Sequence, residues 1–284
     1  MAGNLFGGLE SMGFMGLNNV KLYEEEKKPD QDGKGSDSDA PKEPTVKEED
    51  YLFEKKMKCP VCDMEFKTKT VKTGKPRLIG SDSDLRPKYA GIDSIKYDAV
   101  VCPFCGYAAL SRFFTAIPSA QAKLIKENVT PAFRGLPDDG ETYTYEQAIN
   151  RHKLALLNTV VKRGKNSEKA YTCLKIGWLY RGQKENMPAN TPQPEEFKKQ
   201  CDEAEAEMIA NAYEGFVQAR SKEDFPICGM DEATFDYLLA DLACRTGHYE
   251  DAGKFASSVI LSRTANAKLK DKARDLRDMI KDKK

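Results

Sequence analysis

A chain of 284 residues with 45 Lys and Arg against 45 Asp and Glu carries no net formal charge. That balance removes the electrostatic footprint by which a whole protein is drawn to nucleic acid or an acidic membrane. The hydrophobic fraction of 40% and charged fraction of 32% fit a helical, soluble chain with some polar polypeptide outside the core, and no run approaches the roughly 20 apolar residues of a membrane span.

The opening MAGNLFGGLESMGFMGLNN is apolar and Gly-rich but has no basic n-region and no small-residue cleavage site, so it does not read as a secretory signal. Within residues 1–20, Leu5, Phe6, Leu9, Met12, Phe14, Met15 and Leu17 leave two readings open, a docked amphipathic element or a loose tail. Residues 21–50 hold six Lys against eleven Asp and Glu, and from 24 to 50 only Ala40 and Val46 are apolar. Such a stretch cannot bury enough surface to offset its ordering entropy, which predicts a disordered acidic linker. Eight cysteines without a signal peptide point to a reducing cytoplasm, where thiols stay free or bind metal.

From Tyr51 onward the signals are strand-like, and residues 51–130 are expected to form a small β module. MEFKTKTVKTGKPRL has the composition of a hairpin turning at Gly74–Lys75–Pro76. IKYDAVVCP places Ile95, Tyr97, Ala99 and Val101 on one face at period two. The intervening SDSDLRPKYAGID reads as a polar loop, with Asp82, Asp84 and Arg86 in a local salt bridge or Asx-turn.

Two C-x₂-C pairs frame this region: Cys59-Pro60-Val61-Cys62 and Cys102-Pro103-Phe104-Cys105. Zinc favours four soft ligands in a tetrahedron, and each C-x₂-C turn offers two thiolates on one side of a tight bend. Gly106 follows the second pair and suits a positive φ; Asp63 holds the same place after the first, and Asp tolerates that geometry better than most residues. The 39-residue spacer exceeds the usual length, but a hairpin within it carries the chain out and back. Four cysteines leave no open coordination position, and His152 and His248 lie far along the chain in predicted helices, so one structural Zn²⁺ is expected rather than a catalytic one. The competing chemistry is redox, with a low-pKa thiol at a helix N-terminus inside a βαβ setting. No βαβ pattern surrounds Cys102.

After Gly106 the pattern reads as helical throughout. Helices are expected at about 108–128; from Thr144, with a Thr144–Gln147 capping box, to near Gly164; after Ser167 as a cap; from Pro192 and Pro194; and at about 231–246, 248–263 and 266–282. Residues 131–284 thus form a helical domain. Within it, Leu239, Gly247, Tyr249 and Ala252, and more loosely Ile176, Gly177, Tyr180, Ala212, Phe216 and Ala219, resemble the small-residue pattern of tetratricopeptide hairpins. By that similarity Tyr171, Trp178, Arg181, Tyr237, Asp241 and Arg245 line a concave groove. Replacing Arg181 and Arg245 there is expected to abolish partner capture at little cost in stability.

The combination CPVCDMEFKTKTVKTGKPRL, DSDLRPKYAGID and YDAVVCPFCGYAA, followed by these helices, resembles the bacterial family known as domain of unknown function 2225 over about residues 51–260. The resemblance implies a cytosolic protein that joins a zinc ribbon to tetratricopeptide-like helices, and it implies no activity. The expected fold is mainly α with a small β zinc-ribbon-like module and tetratricopeptide-like helical hairpins in the C-terminal half. The expected role is a zinc-stabilised, non-enzymatic scaffold for a protein or peptide. Its alternatives are a nucleic-acid-binding zinc ribbon or a thiol redox sensor using the two CPxC pairs.

Overall fold

Strand-forming runs between Leu52 and Leu110 close three separate antiparallel hairpins in the computed structural model: β1 (Leu52–Lys58) with β2 (Glu65–Val71), β3 (Leu78–Ser81) with β4 (Pro87–Tyr89), and β5 (Ala99–Val101) with β6 (Ala108–Leu110). The structure describes residues 5–17, 22, 47–115, 117–136 and 140–281. The hairpin expected to turn at Gly74–Lys75–Pro76 pairs differently. β2 folds back on β1 through the first CPVC turn, from Leu52 opposite Val71 to Lys58 opposite Glu65, and the Gly74 turn only leads on to β3. The segment read as a polar loop supplies the last residue of β3, the turn after it and β4.

The helical region also begins later than its composition indicates. Residues 108–110 are fully buried as β6, and the first helix, α1, spans Ser119–Asn128. Apolar residues wholly enclosed by neighbours lose the alternation that marks a strand, so this one resembles a helix start. Beyond it the boundaries follow the sequence closely: α2 (Tyr145–Val161), α3 (Asn166–Glu185), α4 (Pro194–Lys222), α5 (Glu232–Arg245), α6 (Tyr249–Leu261) and α7 (Ala267–Lys281). The Thr144 capping box is formed in both directions, with Gln147 N donating to Thr144 Oγ1 at 3.1 Å and Thr144 N to Gln147 Oε1 at 2.8 Å. Pro194 opens α4 at its first turn. Ser167 does not cap α3. It lies inside the first turn, and its N–H and hydroxyl both donate to the Glu223 carboxylate, at 3.0 and 2.6 Å. An anion from the end of α4 thus neutralises the positive end of α3.

Small residues set the helix packing. A Cβ at Gly177 on α3 would stand 3.3 Å from Ile209 Cδ1 on α4, so those helices touch closely. Between α5 and α6 the chain reverses at Gly247 (φ 78°), where His248 N donates back to Ala243 O at 2.8 Å. α2 lies across β5 and β6, and α3 packs beside it.

One apolar core runs through both the β region and the helices, joining Val61, Phe66, Tyr107 and Phe114 to Leu154, Leu174 and Trp178. The N-terminal segment belongs to it. Phe6, Leu9 and Met12 are almost wholly buried, Lys153 Nζ donates to Gly7 O at 2.7 Å, and Arg134 N to Met12 O at 2.8 Å. Of the two readings of residues 1–20, residues 5–17 take the docked one. Most of the predicted acidic linker, residues 23–46, lies outside the described residues. Its C-terminal end is ordered: a 3₁₀ turn at Glu48–Tyr51 brings Glu48 to the Lys96 ammonium (2.7 Å) and the Tyr97 hydroxyl (2.8 Å).

Candidate metal centre

β1 runs directly into Cys59 and β5 directly into Cys102, so each cysteine pair forms the tip of a two-stranded hairpin. The tips are built alike. In the first, Cys59 N donates to Met64 O (3.0 Å) and Asp63 N to Cys59 O (2.9 Å); in the second, Cys102 N donates to Tyr107 O (2.8 Å) and Gly106 N to Cys102 O (3.1 Å). Both chains turn through the left-handed region immediately after the second cysteine, at Asp63 (φ 62°) and Gly106 (φ 73°), as the residue types at those positions predict. Gly106 is constrained twice over, because a Cβ there would lie 2.5 Å from Phe133 Cγ.

The two tips meet sulfur to sulfur. Cys59 Sγ stands 3.6 Å from Cys105 Sγ and Cys62 Sγ 3.6 Å from Cys102 Sγ, and all four sulfurs lie within 4.8 Å of one another. None forms a disulfide. A tetrahedron of sulfurs about 2.3 Å from a central ion has edges of about 3.8 Å, so the observed spacing suits four thiolates around one cation. Hydrogen bonds from the Cys105 and Cys59 thiols hold Cys102 well below the usual thiol range, so a thiolate is stabilised there even among the sulfurs alone. Val61 N points at Cys59 Sγ from 3.4 Å. Thiolate ligands supplied by two knuckles fit a soft divalent ion with a closed shell.

The helices brace the second knuckle from behind. Asn158 on α2 donates to Gly106 O at 3.1 Å, and Thr130, just after α1, donates to Cys105 O at 3.0 Å. Nothing in the motif points to either residue. Asn158 carries one sequence signal, an amide in the apolar run LALLNTVV.

The proposed groove residues occupy a different setting from the expected one. Trp178, Arg181, Tyr237 and Asp241 are buried, and three of the six candidates converge on Asp84 from the β3–β4 turn. Arg181 Nη1 and Nη2 donate to its two oxygens at 3.1 and 2.6 Å, and Trp178 Nε1 donates at 3.0 Å. Arg245 approaches at 3.9 Å while donating to Ser83 Oγ at 2.9 Å. Arg181 also holds Asp82 (2.9 Å) and Glu205 (2.8 Å). Asp241 accepts from Arg245, and Tyr237 packs with Val259 and Ala273. Only Tyr171 stands apart, half-buried beside Phe216. The face expected to receive a partner is therefore filled by the chain's own DSDL turn, which corrects the reading of these residues as an open groove. The local salt bridge expected in this turn forms through Asp82, 3.7 Å from Arg86, while Asp84 pairs across the fold. Its burial opposes ionisation, but the hydrogen bonds and charge of Arg181 win and hold its carboxyl below the usual range. Leu85, in the same turn, takes φ 68°.

His152 is fully enclosed in α2, its Nδ1 2.8 Å from Ala148 O. His248 is half-buried against Tyr213. Neither joins the sulfur cluster.

The fold and site define a mainly α protein carrying a small β module whose four cysteines come together at two hairpin tips. The chain belongs to the family described as an uncharacterized protein conserved in bacteria (DUF2225), whose sequence profile matches residues 52–280. That match runs from the first residue of β1 into α7 and leaves the docked N-terminal segment outside it. No curated protein and no solved structure matches the chain.

Proposed function

We propose that this protein is a zinc-stabilised, non-enzymatic interaction scaffold of the reducing cytoplasm. The observation that carries the reading is the closed shell of Cys59, Cys62, Cys102 and Cys105. Four sulfurs within 4.8 Å satisfy a zinc ion completely and leave no position for water or substrate. Eight unbridged cysteines support a reducing compartment, and no helix among the described residues is long and apolar enough to cross a membrane.

The interaction half of the reading rests on what the knuckles leave exposed. Phe104 lies in the second knuckle and Met64 beside the first, each about half exposed. Exposed aromatic and Met side chains concentrate binding energy. The partner is accordingly a protein or peptide with an apolar anchor, met by the knuckle tips rather than by Arg181 and Arg245. The nucleic-acid alternative is weaker, because Lys58 and Lys67 are paired with Asp63 and Glu54 at 3.2 and 2.7 Å.

Elemental analysis of freshly purified protein tests the metal: one zinc per chain is expected, and none after Cys59→Ser with Cys102→Ser. Affinity purification from the native cell, comparing wild type with Met64→Ser/Phe104→Ser, tests the surface. The double variant is expected to keep its zinc and lose its specific partner. Retention of every partner sinks the knuckle-tip reading, and salt-sensitive retention on DNA or RNA moves the function to the nucleic-acid class.

A further inference from the structure

Where the β1–β2 hairpin, β5 and α3 meet, a cleft of about 440 Å³ opens between the β module and the helices. Its size falls in the range of small-molecule sites, and it lies where such sites concentrate, at a junction between structural layers. One wall is apolar, formed by Val71, Ile95, Val100, Pro87 and the Trp178 side chain, while Thr70 and Ser94 add polar atoms elsewhere. Trp178 brings only its ring faces, because its indole N–H is spent on Asp84.

The floor is polar and unbalanced. Asp98, Ser111 and Lys175 line it together. Asp98 accepts from the Ser111 hydroxyl on one oxygen and from the Lys175 ammonium on the other, so its acceptors are engaged. Lys175 has three N–H groups. One goes to Asp98, and the ammonium also stands 4.8 Å from the Tyr171 ring and within electrostatic reach of Arg112. Both charges are largely shielded, with 12% and 19% of the Lys175 and Asp98 side chains exposed. On the rim stands the exposed Lys55, without an ion pair among the described residues. Two lysines thus line the same cleft as one carboxylate that already has a donor on each oxygen. The cleft offers spare donors and net positive charge over an apolar cavity, which selects an acceptor-bearing anion with an apolar body.

We propose that this cleft is a binding site for small monocarboxylates, with the carboxylate on Lys175 and Lys55 and the apolar body against Val71, Val100 and Trp178. A single carboxylate matches the charge of the site, because two lysines and one aspartate leave one positive charge; a phosphate dianion exceeds it, and a cation meets Lys175 and Lys55 head-on. The proposal is independent of the scaffold reading, because neither the knuckle tips nor a protein partner enters it.

Trp178 is the chain's only tryptophan, so its emission reports occupancy directly. The full-length, metal-loaded protein is titrated with phenylacetate, benzyl alcohol and benzylamine while that emission is followed. Phenylacetate is expected to give a saturable change in the millimolar range or tighter, and the neutral and cationic analogues at least tenfold weaker responses. Lys55→Glu reverses the rim charge at an exposed position and is expected to weaken phenylacetate about tenfold, from the loss and inversion of one nearby charge. Thr70→Phe, which fills the cleft from β2 without adding a tryptophan, is expected to abolish the response. If Thr70→Phe fails to fold, Lys55→Glu decides alone. No saturable change with phenylacetate, an equal response to benzylamine or benzyl alcohol, or unaltered affinity in Lys55→Glu overturns the proposal.

Discussion

Asp84 carries a carboxylate into a space that excludes water, and every donor it meets comes from another element. Removing one member of a buried charge cluster leaves the rest desolvated and unpaired, which costs about 3–5 kcal/mol. Asp84→Ala is therefore expected to lower unfolding free energy by that order in urea titrations. Arg181→Ala, a surface change on the groove reading, is expected to be comparably destabilising, since it strips donors from Asp84, Asp82 and Glu205 together. Gly106 and Asp63 make a paired test at equivalent places in the two knuckles. Gly106→Ala adds both a strained φ and a Cβ against Phe133, and is expected to lower zinc retention against a competing chelator. Asp63→Gly relaxes the same turn at an exposed site and is expected to stay within about 1 kcal/mol of wild type. His152 adds a dependence on pH. Burial pushes its imidazole down to about 4 from an ordinary 6.5, so above pH 6.5 it is neutral in both states. As pH falls below 6.5 the unfolded chain takes up a proton that the folded chain refuses, and stability is lost. The loss is about 1.3 kcal/mol between pH 7.5 and 5.5, measurable by urea unfolding at the two values and expected to vanish in His152→Phe.

The elements that hold the molecule together are joined by side chains rather than by a shared sheet. The three hairpins do not hydrogen-bond into one sheet. A two-stranded ribbon is barely stable alone, so each needs a support: the sulfur cluster for β1–β2 and β5–β6, and the Asp84 cluster for β3–β4. The N-terminal segment is an element of the same kind. Its described residues, 5–17, contain no regular helix beyond the 3₁₀ turn Glu10–Met12 and are held by Phe6, Leu9, Met12 and Phe14 in the common core. Leu9→Ala is expected to cost about 2–5 kcal/mol, as for other wholly buried leucines. The same change at Leu261, 81% exposed, is expected to lie within about 0.5 kcal/mol of wild type. Equal effects at both positions in thermal denaturation would contradict the docking of residues 5–17.

Across the whole molecule the sulfur cluster and the helical core are continuous. Cys59, Cys102 and Cys105 belong to the same apolar cluster as Leu154 and Trp178, and Asn158 of α2 holds the second knuckle by its backbone. Structural zinc contributes on the order of 10 kcal/mol to modules that depend on it. Chelation is therefore expected to unfold the β hairpins and also to loosen α2, seen as lost hydrogen-exchange protection in 145–161. Protection of α2 that is identical with and without metal would separate the two regions energetically.

The two cysteine turns, the left-handed residues at 63 and 106, the Thr144 cap and the starts of α4 to α7 were legible in the sequence, because each is a local event set by a residue's own φ preference, side-chain length or missing N–H. Strand pairing was not legible. Lys58 meets Glu65 across the CPVC turn while the Gly74 turn leads on to β3, and alternation disappears in β5 and β6 once both faces are covered. Where Asp84 goes was equally beyond the sequence. Its partners lie 94 and 97 residues away, and a charge in a polar turn gives no sign of whether its countercharge sits beside it or across the fold. The tertiary structure decided those pairings, since the gain from joining buried opposite charges exists only once packing has expelled the water between them.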